Sequence, residues 1–312
     1  MKRRAFLSLP TLSAGSLAAA ALPAWPMTAW ADAAAPKKPA DRFASEELEA
    51  HDLQVPGRAS LARRALVLAP RHLKAGTRPR ALVLLHGLGE TGNEALGIRA
   101  WAELYGLISA YERLRRPPLE RILPRARYAT DERLEELNRS LAARPFEGLL
   151  LICPVTPNPY KPGPAARTLD AYTEWLFDSL LPTVRERVGP FSALGIDGCS
   201  LGGYAALEVF LRRPTAFATL GSVQGAFGEP RAERYATLLA EALEGKKPVP
   251  IHIETSSEDP YRKANELLAR RLKDRGVEAT LRVPPGPHNQ PWLREIGTLE
   301  MLLWHDRHLR AS

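Results

Sequence analysis

Cysteine is nearly absent: Cys153 and Cys199 are the only two in 312 residues. That count excludes a disulfide-rich scaffold. With no C-x-x-C pair, no H-E-x-x-H and no dense His/Asp cluster, the chain predicts no metal centre and no cofactor. Long apolar runs are missing as well. The best candidate, Leu9–Leu22, is interrupted by Ser13, Gly15 and Ser16, and a membrane span needs about 20 consecutive apolar residues. Basic blocks are also lacking. Lys plus Arg exceed Asp plus Glu by 43 to 35, a formal +8, but Lys2, Arg3 and Arg4 account for three of those charges. The rest are scattered and carry no interleaved aromatics, which argues against a nucleic-acid partner. Internal repeats are absent. What remains, 45% apolar and 25% charged residues, suits one large globular α/β domain.

The N-terminus carries its own message. Arg3-Arg4-Ala5-Phe6-Leu7 opens a weakly apolar stretch that ends at Ala29-Trp30-Ala31, a small-x-small cleavage pattern. A charged start, an apolar middle and an A-x-A end make a secretory signal. It resembles the twin-arginine type, R-R-x-F-L, with Lys2 standing where Ser or Thr is usual. Residues 1–31 are therefore expected to engage the twin-arginine export machinery, giving a periplasmic or secreted protein. The Ala/Pro/Lys-rich segment 32–45 reads as a disordered linker, and 46–312 as the folded domain.

Seven short apolar runs alternate with helical patterns through that domain: Arg64–Ala69, Ala81–Leu85, Leu149–Cys153, Ala193–Asp197, Ala218–Val223, Pro250–Thr255 and Ala279–Val283. Runs this continuous suit strands buried on both faces, and the alternation predicts a mostly parallel sheet of about eight strands with helices on both faces. Helices are expected over Ile98–Leu114, Asp131–Ala143, Leu169–Val188, Tyr204–Arg213, Tyr261–Arg275 and Gln290–Leu309. Between the strand ending at His86-Gly87-Leu88-Gly89 and the LLLIC strand lie about 60 residues, twice a simple crossover of about 30. Residues 98–147 thus read as an enlarged helical connection, a candidate cap.

Gly198-Cys199-Ser200-Leu201-Gly202 is a G-x-S-x-G pattern between an apolar strand and a helix, the context in which that pattern has meaning. A nucleophilic serine there sits on a strained turn with its hydroxyl exposed, and side chains two residues to either side would clash with backbone. Serine needs a base. In α/β-hydrolases the chain order is serine, acid, histidine. His288, in the loop after the last strand, is the candidate base. Asp259, after the preceding strand, is the candidate acid, with its neighbour Glu258 as the alternative; Glu229, one strand earlier, ranks below both. The backbone N–H groups of Leu201 and Leu88 are the candidate oxyanion donors.

With these residues placed, Leu181–Gly225 resembles the α/β-hydrolase esterase family that includes S-formylglutathione hydrolase, feruloyl esterases and mycolyltransferases. The shared pattern is a G-x-S-x-G-G elbow, a helix ending in Arg-Pro, a Phe and a Ser-Gly-rich strand end. Asp259 followed by Asn265 and Leu268, then Pro287-His288 and Trp292, follows the same family. The resemblance covers roughly residues 80–305. It departs at Cys199, where histidine is commoner, and at 98–147, which has no counterpart. It implies the α/β-hydrolase fold and ester chemistry on a small-molecule or polysaccharide-linked ester. Acyl transfer, peptide cleavage and a non-catalytic binding role on the same scaffold stand as the alternatives.

Two further expectations concern access and cysteine. Thr156–Arg167 carries four prolines, which restrict it, and is expected to wall the pocket with Tyr160. Trp292 is the second substrate-lining candidate. The inserted helices are expected to cap the entrance, with Trp101 or Tyr105 toward the core. In this fold one strand separates those ending at Cys153 and Cys199. Two spacings of about 4.8 Å exceed disulfide reach, so both thiols should be free and buried.

Overall fold

The computed structural model describes residues 41–309 except 75, 124, 126 and 162. The described residues all belong to one compact unit. The signal expected over 1–31 and most of the linker expected over 32–45 fall outside the described residues. The linker's end does not behave as one: Asp41–Phe43 forms a 3-10 turn and Phe43 is buried in the core. An aromatic side chain with apolar surface to cover ties that end down.

Eight strands make one sheet in the order β1-β2-β4-β3-β5-β6-β7-β8. They are β1 (Leu48–Gln54), β2 (Arg64–Pro70), β3 (Arg80–Leu85), β4 (Leu150–Pro154), β5 (Ala193–Gly198), β6 (Thr219–Val223), β7 (Ile251–Glu254) and β8 (Ala279–Arg282). β1 and β2 pair antiparallel, as do β2 and β4; all other neighbours are parallel. Residues of β4, β5, β6 and β7 are buried throughout, which is why each read as an unbroken apolar run. β1 escaped that reading because LEAHDLQ is an edge strand of mixed polarity. Only Leu48 is buried, and Asp52 pairs with Arg64 of β2 at 2.6 Å.

The helix beginning at Leu201 (Leu201–Arg212) packs on β3, β5 and β6, and the C-terminal helix Thr298–His308 on β6 and β7. A helix over Glu229–Leu243, not among those expected, joins β6 to β7. Ile98–Leu114 is not one helix. It breaks into a π turn, Ala100–Leu104, and a helix, Leu107–Arg115. Between them Gly106 takes φ +73, where a Cβ would lie 2.9 Å from Arg294 Cγ. A left-handed residue cannot continue a helix, and crowding there admits only glycine. The C-terminal helical stretch and Leu169–Val188 each contain a π turn, Leu293–Gly297 and Leu176–Leu180.

The insertion is tied to the C-terminal helical stretch through Glu295 and Glu300. Asp131–Ala143 is helical as expected, capped by Thr130 Oγ1 accepting from Arg133 N at 3.2 Å. Its Arg133 forms a fork with both oxygens of the buried Glu300 on the C-terminal helix. A buried carboxylate demands a cation, and Arg133 supplies it. The preceding loop does approach the His288 segment. The N–H groups of Ile122 and Leu123 bind the buried Glu295 carboxylate, and Tyr128 lies against Gly286. Trp101 and Tyr105 are both buried and meet edge to face, with centroids 5.1 Å apart.

Candidate active site

β5 ends at Gly198, and Ser200 follows with φ 56 and ψ −117 at the start of the helix Leu201–Arg212. That conformation is unfavourable for any residue with a Cβ and persists only where its surroundings impose it. Here they do. Cys199 N donates to Leu85 O at 3.1 Å, Ser200 N to Val223 O at 2.9 Å, and Ala226 N to Ser200 O at 3.0 Å. The turn is thereby stitched to β3 on one side and β6 on the other. A Cβ on Gly202 would sit 2.0 Å from Leu85 O, and one on Gly198 2.4 Å from Gly202. The two flanking glycines are therefore steric requirements of the elbow. Burial pushes the Cys199 thiol well above its ordinary range, so it stays protonated and inert beside the serine.

His288 and Asp259 come together from two loops. His288 Nδ1 lies 2.9 Å from Asp259 Oδ1. Asp259 is buried, and its other oxygen accepts from Thr255 Oγ1 at 2.6 Å, while Tyr261 N donates to Oδ1 at 2.9 Å. Three donors on one carboxylate fix its orientation. Glu258, the alternative acid, points its side chain to solvent; only its backbone takes part, donating to Gly286 O at 2.9 Å. Ser257 Oγ returns the tie by accepting from Gly286 N at 3.0 Å. Glu229 opens the helix Glu229–Leu243 and is exposed. Tyr261 meets the His288 ring edge to face at 5.8 Å.

Gln224 joins the serine segment to the histidine loop. It has φ 48, its Nε2 donates to Ser256 Oγ at 2.7 Å and to Pro287 O at 3.2 Å, and Ser200 is held by its neighbours Val223 and Ala226. Asn265 adds a second tie, from Nδ2 to Gly225 O at 3.0 Å. Neither was expected as a positioning residue. Asn265 carried a signal in the motif pattern, whereas Gln224 carried none, because its role rests on backbone geometry.

The loop after β3 lies against the elbow: a Cβ on Gly87 would stand 3.7 Å from Ser200 Cβ. Gly87 N donates to Tyr105 Oη at 3.1 Å, and that hydroxyl donates to the buried Glu90 at 2.6 Å. With Gly87 N so engaged, Leu88 N is the next donor along. Leu88 and Leu201 each occupy the first position of a helical turn, where the N–H has no acceptor in its own helix. His86 fixes the other side. Its Nε2 accepts from Thr156 N at 2.8 Å and its Nδ1 lies 2.9 Å from Gly87 O, which requires the neutral ring with the proton on Nδ1. Burial lowers its pKa from 6.5 to about 4.

The two substrate-lining candidates part company. Tyr160 is 53% exposed and stacks on Tyr204 at 6.2 Å, and Arg231 donates to its hydroxyl at 3.2 Å. Trp292 is fully buried. A Cβ on Gly286 would come 2.7 Å from its ring and one on Gly297 2.3 Å, so it props the histidine loop from below and lines no open surface. The reason is packing: a large ring in a slot floored by glycine gains more from burial than from exposure.

No protein-family model matches the chain, and no curated protein matches it. Solved structures do. A ferulic acid esterase is similar over 84% of this chain and 98% of its own, with 16% identity and a TM-score of 0.60. The feruloyl esterase module from Clostridium thermocellum, complexed with sinapinate, covers 89% and 95% at 14% identity and 0.56. S-formylglutathione hydrolase from Staphylococcus aureus covers 83% and 98% at 14% identity and 0.52. The likeness is one of fold, and the fold is that of the α/β-hydrolases.

Proposed function

We propose that this chain is a serine hydrolase that cleaves carboxylic esters through an acyl-enzyme intermediate. The observation that carries it is the strained Ser200 on its strand-to-helix elbow, linked through Val223–Ala226 to the loop bearing the His288–Asp259 pair. Ester-cleaving proteins among the solved structures of the same fold support the reading. In the proposed reaction Ser200 Oγ attacks the ester carbonyl carbon while His288 Nε2 takes its proton. Asp259 holds the opposite ring nitrogen, fixing the tautomer and stabilising the imidazolium. The N–H groups of Leu88 and Leu201 hold the oxyanion. Collapse breaks the carbonyl–alkoxide bond, and the alcohol leaves with the proton from His288. Water then repeats the sequence on the acyl-serine and releases the acid.

The substrate is a small-molecule or polysaccharide-linked ester. Leu88, Tyr160 and Tyr261 remain exposed beside the elbow and the histidine loop, offering an apolar rim to the acyl or alcohol part. The arginine pair at Arg3-Arg4 supports a substrate met outside the cytoplasm. A fluorophosphonate probe should label Ser200, and a panel of p-nitrophenyl, feruloyl and acetylated-sugar esters should identify the acyl group. No label on Ser200 together with no turnover of any ester in a folded protein would refute the reading.

A further inference from the structure

The end of the sheet away from Ser200 holds a cavity of about 1050 Å³ beside Ala193, Ala218 and Pro250, where β5, β6 and β7 begin. β5 runs from this cavity to the elbow, so roughly 20 Å separates the two at 3.3 Å per residue. The ester chemistry proposed above makes no use of it.

Its wall is aromatic. Phe177, Phe191 and Phe217 line it, and Phe177 meets Phe217 edge to face at 5.6 Å. Its rim is cationic. Arg185, Lys246 and Lys247 lie along the mouth, all exposed. Arg144 and Arg307 contribute from the other side but are engaged by Glu147 and Asp306. Lys246 Nζ donates to Ala242 O at 2.6 Å. The Arg185 guanidinium lies 4.4 Å from the Phe191 ring centroid. Among the described residues, neither Arg185 nor Lys247 meets a carboxylate, and Glu278 is the single acidic lining residue.

Two imbalances meet here. Phe217 is covered by the core, but Phe177 and Phe191 are only half-buried, and phenyl surface left open to water costs free energy in proportion to its area. Cations gathered at a concave, low-dielectric mouth raise the local positive potential and draw in an anion. One kind of occupant answers both: a molecule with an acidic head and an apolar body. The size fits a single such molecule, since small-molecule sites run from about 300 to 1,000 Å³. We propose that this cleft binds an amphipathic organic anion, its head between Arg185 and Lys247 and its apolar body against Phe177 and Phe191.

Calorimetric titration of the purified protein with sodium dodecanoate, below its micelle concentration, tests this. One molecule should bind per chain. The double variant Arg185→Glu/Lys247→Glu should weaken binding at least tenfold, as should Phe191→Ser, which keeps the cations. Tyr160→Ala, on the opposite edge, should leave it unchanged. Dodecyltrimethylammonium, with the same tail and the opposite charge, should bind at least tenfold more weakly. Equal affinity for the two head groups, unchanged affinity in the double variant, or loss of binding in Tyr160→Ala would each overturn the site. Binding to phosphatidylglycerol vesicles without binding of free dodecanoate would also overturn it, since that reads as attraction to a charged surface.

Discussion

At the scale of the residue, Ser200, His288 and Asp259 are read as one unit, and units of this kind respond non-additively to substitution. Ser200→Ala and His288→Ala should each lower kcat for a p-nitrophenyl ester by about 10⁴-fold or more, and the double variant should lose little further. Asp259→Asn should also cost orders of magnitude, because an amide can present its donor to His288 Nδ1 and impose the wrong tautomer. Glu258→Gln should change little, since that side chain is exposed while Asp259 is buried and bound by three donors. Steady-state kinetics on the five variants decide it; near-normal turnover in Ser200→Ala would remove the nucleophile from the mechanism.

At the scale of the element, the loop after β3 owes its shape to His86. The ring accepts from Thr156 N and reaches Gly87 O only when neutral. Its pKa lies near 4 in the fold, against an ordinary value near 6.5 in the unfolded chain. Between those pH values the unfolded chain binds a proton that the folded chain does not. Stability from His86 is therefore present above about pH 6.5 and is lost as pH falls through about 4. The full loss is on the order of 3 kcal/mol. Urea midpoints measured from pH 7.5 down to 4 should fall more steeply in the parent than in His86→Gln. Parallel curves would show that another group controls acid stability.

The connection between β3 and β4 makes the same point for helices. Asp131–Ala143 is anchored by Arg133 on Glu300, and Glu300 lies near enough to Glu254 to help hold its buried carboxyl well above the usual range, behind the larger effect of burial. Removing one partner of a buried pair costs about 3–5 kcal/mol. Arg133→Met should lower thermal stability by that order at neutral pH, and adding Glu300→Gln should restore much of it by removing a buried charge left with only the longer 3.7 Å contact to Arg282. Differential scanning calorimetry reads both; an unchanged midpoint in Arg133→Met would show the fork to be dispensable.

For the whole molecule, sheet order decides the fate of the thiols. β3 lies between β4, which carries Cys153, and β5, which leads to Cys199, and both cysteines are free and buried. Burial holds the Cys153 thiol high as well. An alkylating reagent should leave both untouched in the native protein and modify both after denaturation without reductant, as read by intact mass. A mass indicating a disulfide would contradict the strand order itself.

How much of this could be read from the chain alone follows from the range of the interactions involved. Continuous apolar runs marked seven strands, six of them because they are largely buried in the sheet and the seventh, β8, although it is a half-exposed edge strand, and that pattern is local. The elbow was legible because Gly198 and Gly202 are forced by atoms within a few residues of Ser200 and on the strand beside it. The order serine, acid, histidine follows from strand sequence, so the pairing of Asp259 with His288 was legible too. The edge strand β1 lacked a distinctive apolar signature, whereas the unexpected helix Glu229–Leu243 does carry apolar residues at helical spacing, Ala232, Tyr235, Ala236 and Leu239. The choice of Asp259 over Glu258, the burial of Trp292, the bridging role of Gln224 and the seat of Asp131–Ala143 on the C-terminal helix all depend on partners far away in the sequence. Those contacts exist only once the sheet has closed on its helices, and no local pattern of residues encodes them.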